Sequence, residues 1–157
     1  MDITKLKKEV DKESVSQEIK SLKDIKTETK KEDIKYEKRV KTLKVSYMFD
    51  DGEKVCSLTS KVMDHEGRTR YERVLSRLSE GMNFDTMPVE VRNRHFCMAR
   101  LVCQCIEPEE WLLKAAGEDL EFLFHISGRL LDHEASYFRN YTSENESGKV
   151  QSRFSIS

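Results

Sequence analysis

Between Leu43 and Thr59, apolar and polar residues alternate on either side of an Asp51-Gly52 dipeptide. Alternation is the period of a half-buried strand, and Asp-Gly supplies the positive φ values of a two-residue type I′ turn. Leu43, Val45, Tyr47 and Phe49 share one face of a first strand, and a second strand runs from about Glu53 to Thr59. Centring the turn on Asp51-Gly52 sets Val45 opposite Leu58, Tyr47 opposite Cys56 and Met48 opposite Val55, so both strands agree on a mainly apolar face. A two-stranded ribbon is only marginally stable by itself. The remainder of the chain must therefore supply a helix beneath it or a third strand beside it.

Helical periods follow. Tyr71, Val74, Leu75 and Leu78 recur at i, i+3, i+4 and i+7, and Gly81 is placed to close that helix in a left-handed cap. Pro88 opens the next helix, whose inner face takes Val91, Met98, Leu101, Val102 and Cys105; Pro108 marks its end and is tolerated in the first turn of its successor. That short successor carries Glu109 and Glu110 at its positive end, buries Trp111, Leu112 and Ala115, and stops at Gly117. A longer helix spans about Asp119 to Tyr141. Its broad stripe comprises Leu120, Leu123, Phe124, Ile126, Leu130, Leu131, Phe138 and Tyr141, and Gly128 lets a neighbour approach closely. The expected fold class is α+β, mainly α: a small domain of about four helices with one β-hairpin.

The 157 residues suffice for one core, and composition divides them into three parts. Residues 1–37 are expected to be a charged flexible or partly helical arm, since a segment so rich in Lys, Glu, Asp, Ser and Thr cannot form its own core. Its apolar residues Ile3, Leu6 and Val10, then Val15, Ile19 and Leu22, fall at helical spacing broken by a slip of phase. Two readings stay open, a solvated arm that frays between helix and coil and a docking helix that folds on contact with a partner. Residues 38–141 form the hairpin and helical domain. Residues 142–157 are a polar loop, TSENESGK, and a short C-terminal strand in which Val150, Phe154 and Ile156 alternate with polar residues. That strand could extend the hairpin or add to a partner's sheet edge, and pairing within the chain is the preferred reading.

A formal net charge of −1 gives no global pull toward nucleic acid or an anionic membrane. No apolar run approaches the ~20 residues that span a bilayer, and the start, MDITKLKKEVDKES, lacks the apolar core of a secretory signal. A cytoplasmic protein with reduced thiols is expected. Cys97, Cys103 and Cys105 lie with His95 in HFCMARLVCQC, but on a helix Cys103 and Cys105 point to nearly opposite sides, and Cys97 sits roughly 12 Å along from Cys105. These cysteines, with Cys56, are read as small core hydrophobes, not metal ligands.

No Gly-rich phosphate loop, HExxH, paired CxxC or nucleophile elbow occurs. The triplets Asp64-His65-Glu66 and Asp132-His133-Glu134 place adjacent side chains about 100° apart on a helix, so they read as solvated polarity. No enzyme activity, cofactor or metal is expected. Arginine dominates the first two helices of the domain, at Arg68, Arg70, Arg73, Arg77, Arg92, Arg94 and Arg100, while the following half is acidic. Complementary halves of this kind orient partners more than they add affinity. The alternative is a nucleic-acid-binding accessory protein that uses those arginines, although Glu66, Glu72, Glu80 and Glu90 dilute the local potential.

A charged start, the Gly-turn hairpin FDDGEKV, Arg-bearing helices and the closing run IEPEEWLLKAAGEDLEFLFHISGRLLDHEASYFRNY make residues 40 to 141 resemble small accessory proteins from bacteriophage tail gene clusters. Those families include tail assembly chaperones and baseplate or hub adaptors. The resemblance implies a non-enzymatic protein-protein interaction role, as an assembly chaperone or structural adaptor in a phage tail or baseplate. The implied location is the host cytoplasm or the assembled virion. The expected partner is another protein, such as a tail or hub protein, or further copies of the chain; a membrane or a nucleic acid is not expected. The residues expected to meet a partner are Ile3, Leu6 and Val10 in the arm, Arg70, Arg73 and Arg77 on the first amphipathic helix, and the aromatics Trp111, Phe138 and Tyr141.

Overall fold

A computed structural model describes residues 2–21 and 39–154, with side chains described over 2–12 and 39–140. Its class is α+β and mainly helical, with five helices and a three-stranded antiparallel sheet among the described residues. Strands β1 (Val40–Phe49) and β2 (Gly52–Lys61) form the hairpin. Phe49 pairs with Gly52, so the loop residues are Asp50 and Asp51, and Val45 stands opposite Cys56, Leu43 opposite Leu58, Tyr47 opposite Lys54 and Met48 opposite Glu53. The expected register, centred on Asp51-Gly52, is thus displaced by two. In this turn Gly52 takes a positive φ of 129° and neither aspartate does, so the type I′ requirement of positive φ at both loop residues is not met. A slip of two leaves every side chain on its own face. Leu43, Val45, Cys56 and Leu58 remain buried together, and Met48 and Val55 lie on the exposed face.

The third strand is β3 (Cys105–Ile106), which pairs with β2 through Ser60↔Cys105 and Thr59↔Ile106 and leaves β1 as a sheet edge. The expected C-terminal strand does not form, because residues 142–154 continue the last helix; Ile156 lies outside the described residues. Val150 and Phe154 are also four apart, which suits a helix, and TSENESGK contains no proline. Its one glycine, Gly148, costs only about 1 kcal/mol relative to alanine in a helix, too little to end one.

The first helix, α1 (Ile3–Ser21), corrects the expectation of a solvated arm for its opening residues. Ile3, Leu6 and Val10, at i, i+3 and i+7, are buried in the common core. Lys7 is buried beside them and donates from Nζ to the Val102 carbonyl at 3.0 Å and to Asp11 at 2.9 Å. Residues 22–37 of the expected arm are outside the described part.

Helix α2 (His65–Ser79) starts at Asp64, whose carboxylate accepts from the Gly67 N–H at 2.7 Å. It buries Val74, Leu75 and Leu78 and ends at Glu80, which takes the left-handed conformation one residue before Gly81. After a short 3-10 turn, Phe84–Thr86, Pro88 caps helix α3 (Val89–Gln104), which buries Met98, Ala99, Leu101, Val102 and Gln104. Val91, expected on the inner face, is exposed in the first turn. This helix ends at Gln104 and not at Pro108, since Cys105 turns extended to enter β3 and Glu107 reverses the chain with a positive φ of 44°. Helix α4 (Glu110–Glu118) buries Leu112, Leu113 and Ala116. Trp111 and Ala115 are only partly buried, and Gly117 sits inside the helix, which ends at the extended Asp119.

The last helix, α5 (Leu120–Phe154), is 35 residues long. Phe122, Leu123, Ile126 and Leu130 enter the core, where Phe122 meets Tyr47 and Phe49 at ring-centroid distances of 5.0 and 4.8 Å. The expected single stripe is therefore divided. Leu123, Ile126 and Leu130 face inward, whereas Leu120, Phe124, Leu131 and Phe138 are exposed.

Candidate interaction surface

The exposed large apolar residues on α5 fall in one line. Leu120, Phe124, Gly128, Leu131, Ala135 and Phe138 follow at intervals of four, four, three, four and three, which at 100° per residue confines them to an arc of about 80°. All six are exposed, with Leu120 at 42%, Phe124 at 38%, Leu131 at 49% and Phe138 at 43%. The line covers five turns, about 27 Å at 1.5 Å per residue. Along its outer flank, within a further half-turn, stand Glu121, His125, Asp132 and Arg139, also exposed. The far end is fixed to the sheet, as Arg39 donates from Nε to the Tyr137 hydroxyl at 3.3 Å and Phe138 packs edge-on against Tyr137 at 5.4 Å.

A second apolar patch lies at the start of α3. Phe84 stacks on Phe96 with centroids 5.4 Å apart and planes 16° from parallel, and Met82 and Val89 are exposed. An open cleft of about 590 Å³ runs between the starts of α1 and α4, with Ile3 and Leu113 among its apolar walls and Lys5, Lys8, Glu110 and Glu118 around them. Its mixed charge selects no particular ligand.

The second acidic-histidine triplet is not solvated polarity. His133 and Glu134 are both buried, and they join a network with Ser60, Gln104 and Arg100. Arg100 donates from Nη1 to Gln104 Oε1 at 2.9 Å, and Gln104 Nε2 donates to the Leu130 carbonyl at 2.7 Å and to Ser60 Oγ at 3.2 Å. Ser60 Oγ lies 2.7 Å from His133 Nδ1. Ser60 Oγ thus accepts from Gln104 and shares one further proton with His133 Nδ1, the tautomer of the ring deciding which of the two donates. Glu134 accepts from Arg68 Nη2 at 2.8 Å and lies 3.5 Å from Arg100 Nη1, while Arg100 also sits over the Tyr71 ring at 5.8 Å. Ser60 and His133 have the spacing of a nucleophile and its base, yet Ser60 and Gln104 are fully buried, so no substrate reaches the hydroxyl. The network ties β2, α2, α3 and α5 together. In the first triplet Asp64 is the cap of α2, and His65 and Glu66 are exposed.

Burial lowers the His133 pKa; Lys41 acts in the same direction and Glu134 against it. The unfolded imidazole, with its pKa near 6.5, takes up a proton before the folded one, so this contribution to stability is complete above about pH 6.5 and is lost as pH falls toward the lower folded pKa. His95 is lowered in the same sense by burial and Arg94. Thermal midpoints are therefore expected to fall between about pH 7.5 and 5.5, and to fall less steeply in a His133→Gln variant. Equal slopes in the two proteins would remove His133 from the account.

All four cysteines are free thiols, with Cys56 and Cys105 buried and Cys97 and Cys103 half-buried. Among the described residues no group of three or more His, Cys, Asp or Glu side chains could hold a metal ion. Burial pushes the thiols of Cys103 and Cys105 up to about 11, against smaller opposing effects of Arg70 and Lys7 on the first and Lys7 on the second. Since the thiolate is the reactive form, both are expected to resist iodoacetamide at pH 8 in the folded protein and to label rapidly in denaturant. Peptide mapping that found either labelled as fast as in denaturant would contradict their burial.

The nine residues expected to meet a partner are scattered. Ile3, Leu6 and Val10 are core; Arg70 is half-buried; Arg73 and Arg77 are exposed, with Arg77 3.9 Å from Glu9. Trp111 is half-buried, stacks on Phe122 at 6.5 Å and donates from Nε1 to Glu109. Phe138 belongs to the exposed line on α5, and the Tyr141 side chain is outside the described part. Sequence reasoning missed Leu120, Phe124, Leu131, Gly128 and Ala135 as surface. The available signal was a stripe on α5 wider than one core can cover.

No helix among the described residues is long and apolar enough to cross a membrane. Searches against protein-family models, curated proteins and solved structures gave no match.

Proposed function

We propose that this chain is a non-enzymatic protein-protein interaction protein, an assembly chaperone or structural adaptor of the kind found in phage tails and baseplates, acting in the host cytoplasm or as part of the virion. The observation that carries the interaction role is the line of four large apolar side chains held exposed over five turns of α5, beside a core that is already complete without them. Contiguous apolar surface on a soluble domain marks a place that another surface covers. The Phe84–Phe96 patch, on a different element, offers a second such place for a tail or hub protein.

The nucleic-acid reading loses support from the arginines themselves. Arg68 and Arg100 are held by Glu134, and Arg77 lies near Glu9, so three of the seven have carboxylates beside them where phosphates would be needed. The test of the proposed function is co-expression with the proteins encoded beside this chain, followed by size-exclusion chromatography with light scattering. A stoichiometric complex that is lost in a Phe96→Glu or Phe124→Glu variant is the expected result. Complexes unaffected by both substitutions, or DNA or RNA binding that weakens steeply with salt, would overturn it.

A further inference from the structure

We infer that the exposed line on α5 is covered by the same line of a second copy, the two helices running antiparallel about a two-fold axis. This rests on the interaction role proposed above and names one partner for it. The argument is self-complementarity. Reversing the helix about a point near residues 129 and 130 sets Leu120 against Phe138 of the second copy, Phe124 against Ala135, and Gly128 against Leu131. Each small residue then faces a large one, the alternation that lets two ridges interlock. Gly128 is suited to this, because a Cβ added there would meet nothing of its own chain within 4 Å; the space is open for a partner's leucine.

The flanking charges agree with the same register. In an antiparallel pair related by a two-fold axis, residues on one flank meet the same flank of the other copy. Glu121 therefore stands across from Arg139 of the second copy, and His125 across from Asp132, each pair occurring twice. In a parallel pair the two-fold axis runs along the helices and carries this flank to opposite sides of the two copies, so neither charge pair would form. One helix per copy gives a small interface, at the low end of specific ones, so a reversible dimer with a dissociation constant of about micromolar order is expected.

The test is sedimentation equilibrium or light scattering on the full chain across a concentration series, with four proteins: the wild type, Leu131→Glu, Glu121→Arg, and the double variant Glu121→Arg with Arg139→Glu. Every substituted position is exposed, so circular dichroism and thermal midpoints should match the wild type and report that folding is intact. The wild type is expected to dimerise. Leu131→Glu should weaken the dimer about a hundredfold or more, since it places a charge in the seam of both copies. Glu121→Arg should weaken it by about tenfold, and adding Arg139→Glu should restore it, which a parallel pair would not do. A monomer at every concentration, a dimer indifferent to Leu131→Glu, or a double variant no tighter than Glu121→Arg would overturn the inference. Any of these would leave the binding of a different protein to be judged by the co-expression experiment.

Discussion

A chain lacking residues 1–12 is expected to be unfolded or close to it at 25 °C. The composition of that segment suggests a dispensable tail, but Ile3, Leu6 and Val10 are 2%, 3% and 1% exposed and pack between α3 and α4. Removing one buried aliphatic side chain costs about 2–5 kcal/mol where the site cannot collapse, and three together rival the roughly 5–15 kcal/mol that holds a whole domain folded. Lys7 adds to the loss, because its removal strands the Val102 carbonyl in the groove left by α1. Urea unfolding followed by circular dichroism measures the effect, with Lys8→Ala, an exposed site on the same helix, expected within about 0.5 kcal/mol of the wild type. A truncated chain with an unchanged urea midpoint would mean that α1 does not belong to the core.

Glu134→Leu should destabilise the protein by about 3–5 kcal/mol, the typical result of removing one partner of a buried ion pair. The Arg100 side chain is 14% exposed and Glu134 6%, so without the carboxylate the guanidinium keeps its desolvation cost and retains only Gln104 and the Tyr71 ring. Changing both members to leucine should recover much of the loss, since an apolar pair carries no such cost. A double-mutant cycle in urea separates the pairwise part from the rest. If Glu134→Leu cost under about 1 kcal/mol, water would be reaching the pair and the network would not be holding the sheet to the helices.

Legibility in the sequence followed the range of the forces involved. Helices α2 to α5 and both hairpin strands were visible because hydrophobic period is local, and Pro88 is local punctuation; the capping role of Asp64 was not read. The hairpin register was not, since Asp51-Gly52 is compatible with either of two loop placements and only packing beneath the sheet chooses. Strand β3 is two residues long and has no period to read; it exists because Cys105 meets the free side of β2. The burial of His133 and Glu134 depended on Ser60, Arg68, Arg100 and Gln104, far away in the chain, so their own neighbourhood could only suggest solvent. In α1 the helical spacing of Ile3, Leu6 and Val10 was legible and its destination was not. On α5 Phe122, the largest fully buried side chain, was missed from the stripe, and assigning the other apolar residues to one core hid the line that faces outward.

The position of β1 at the sheet edge has a bearing on how copies of this chain can meet. Its outer row of backbone amides and carbonyls is a template onto which another strand could add without limit. Lys41 and Lys44 stand on that strand, both exposed. Two copies aligned edge to edge would bring Lys44 against Lys44 when centred there, and Lys41 against Lys41 when centred on that residue. Repulsion of this kind discourages growth of the sheet into fibres and leaves closed, countable assemblies as the favoured way for the molecule to gather at high concentration.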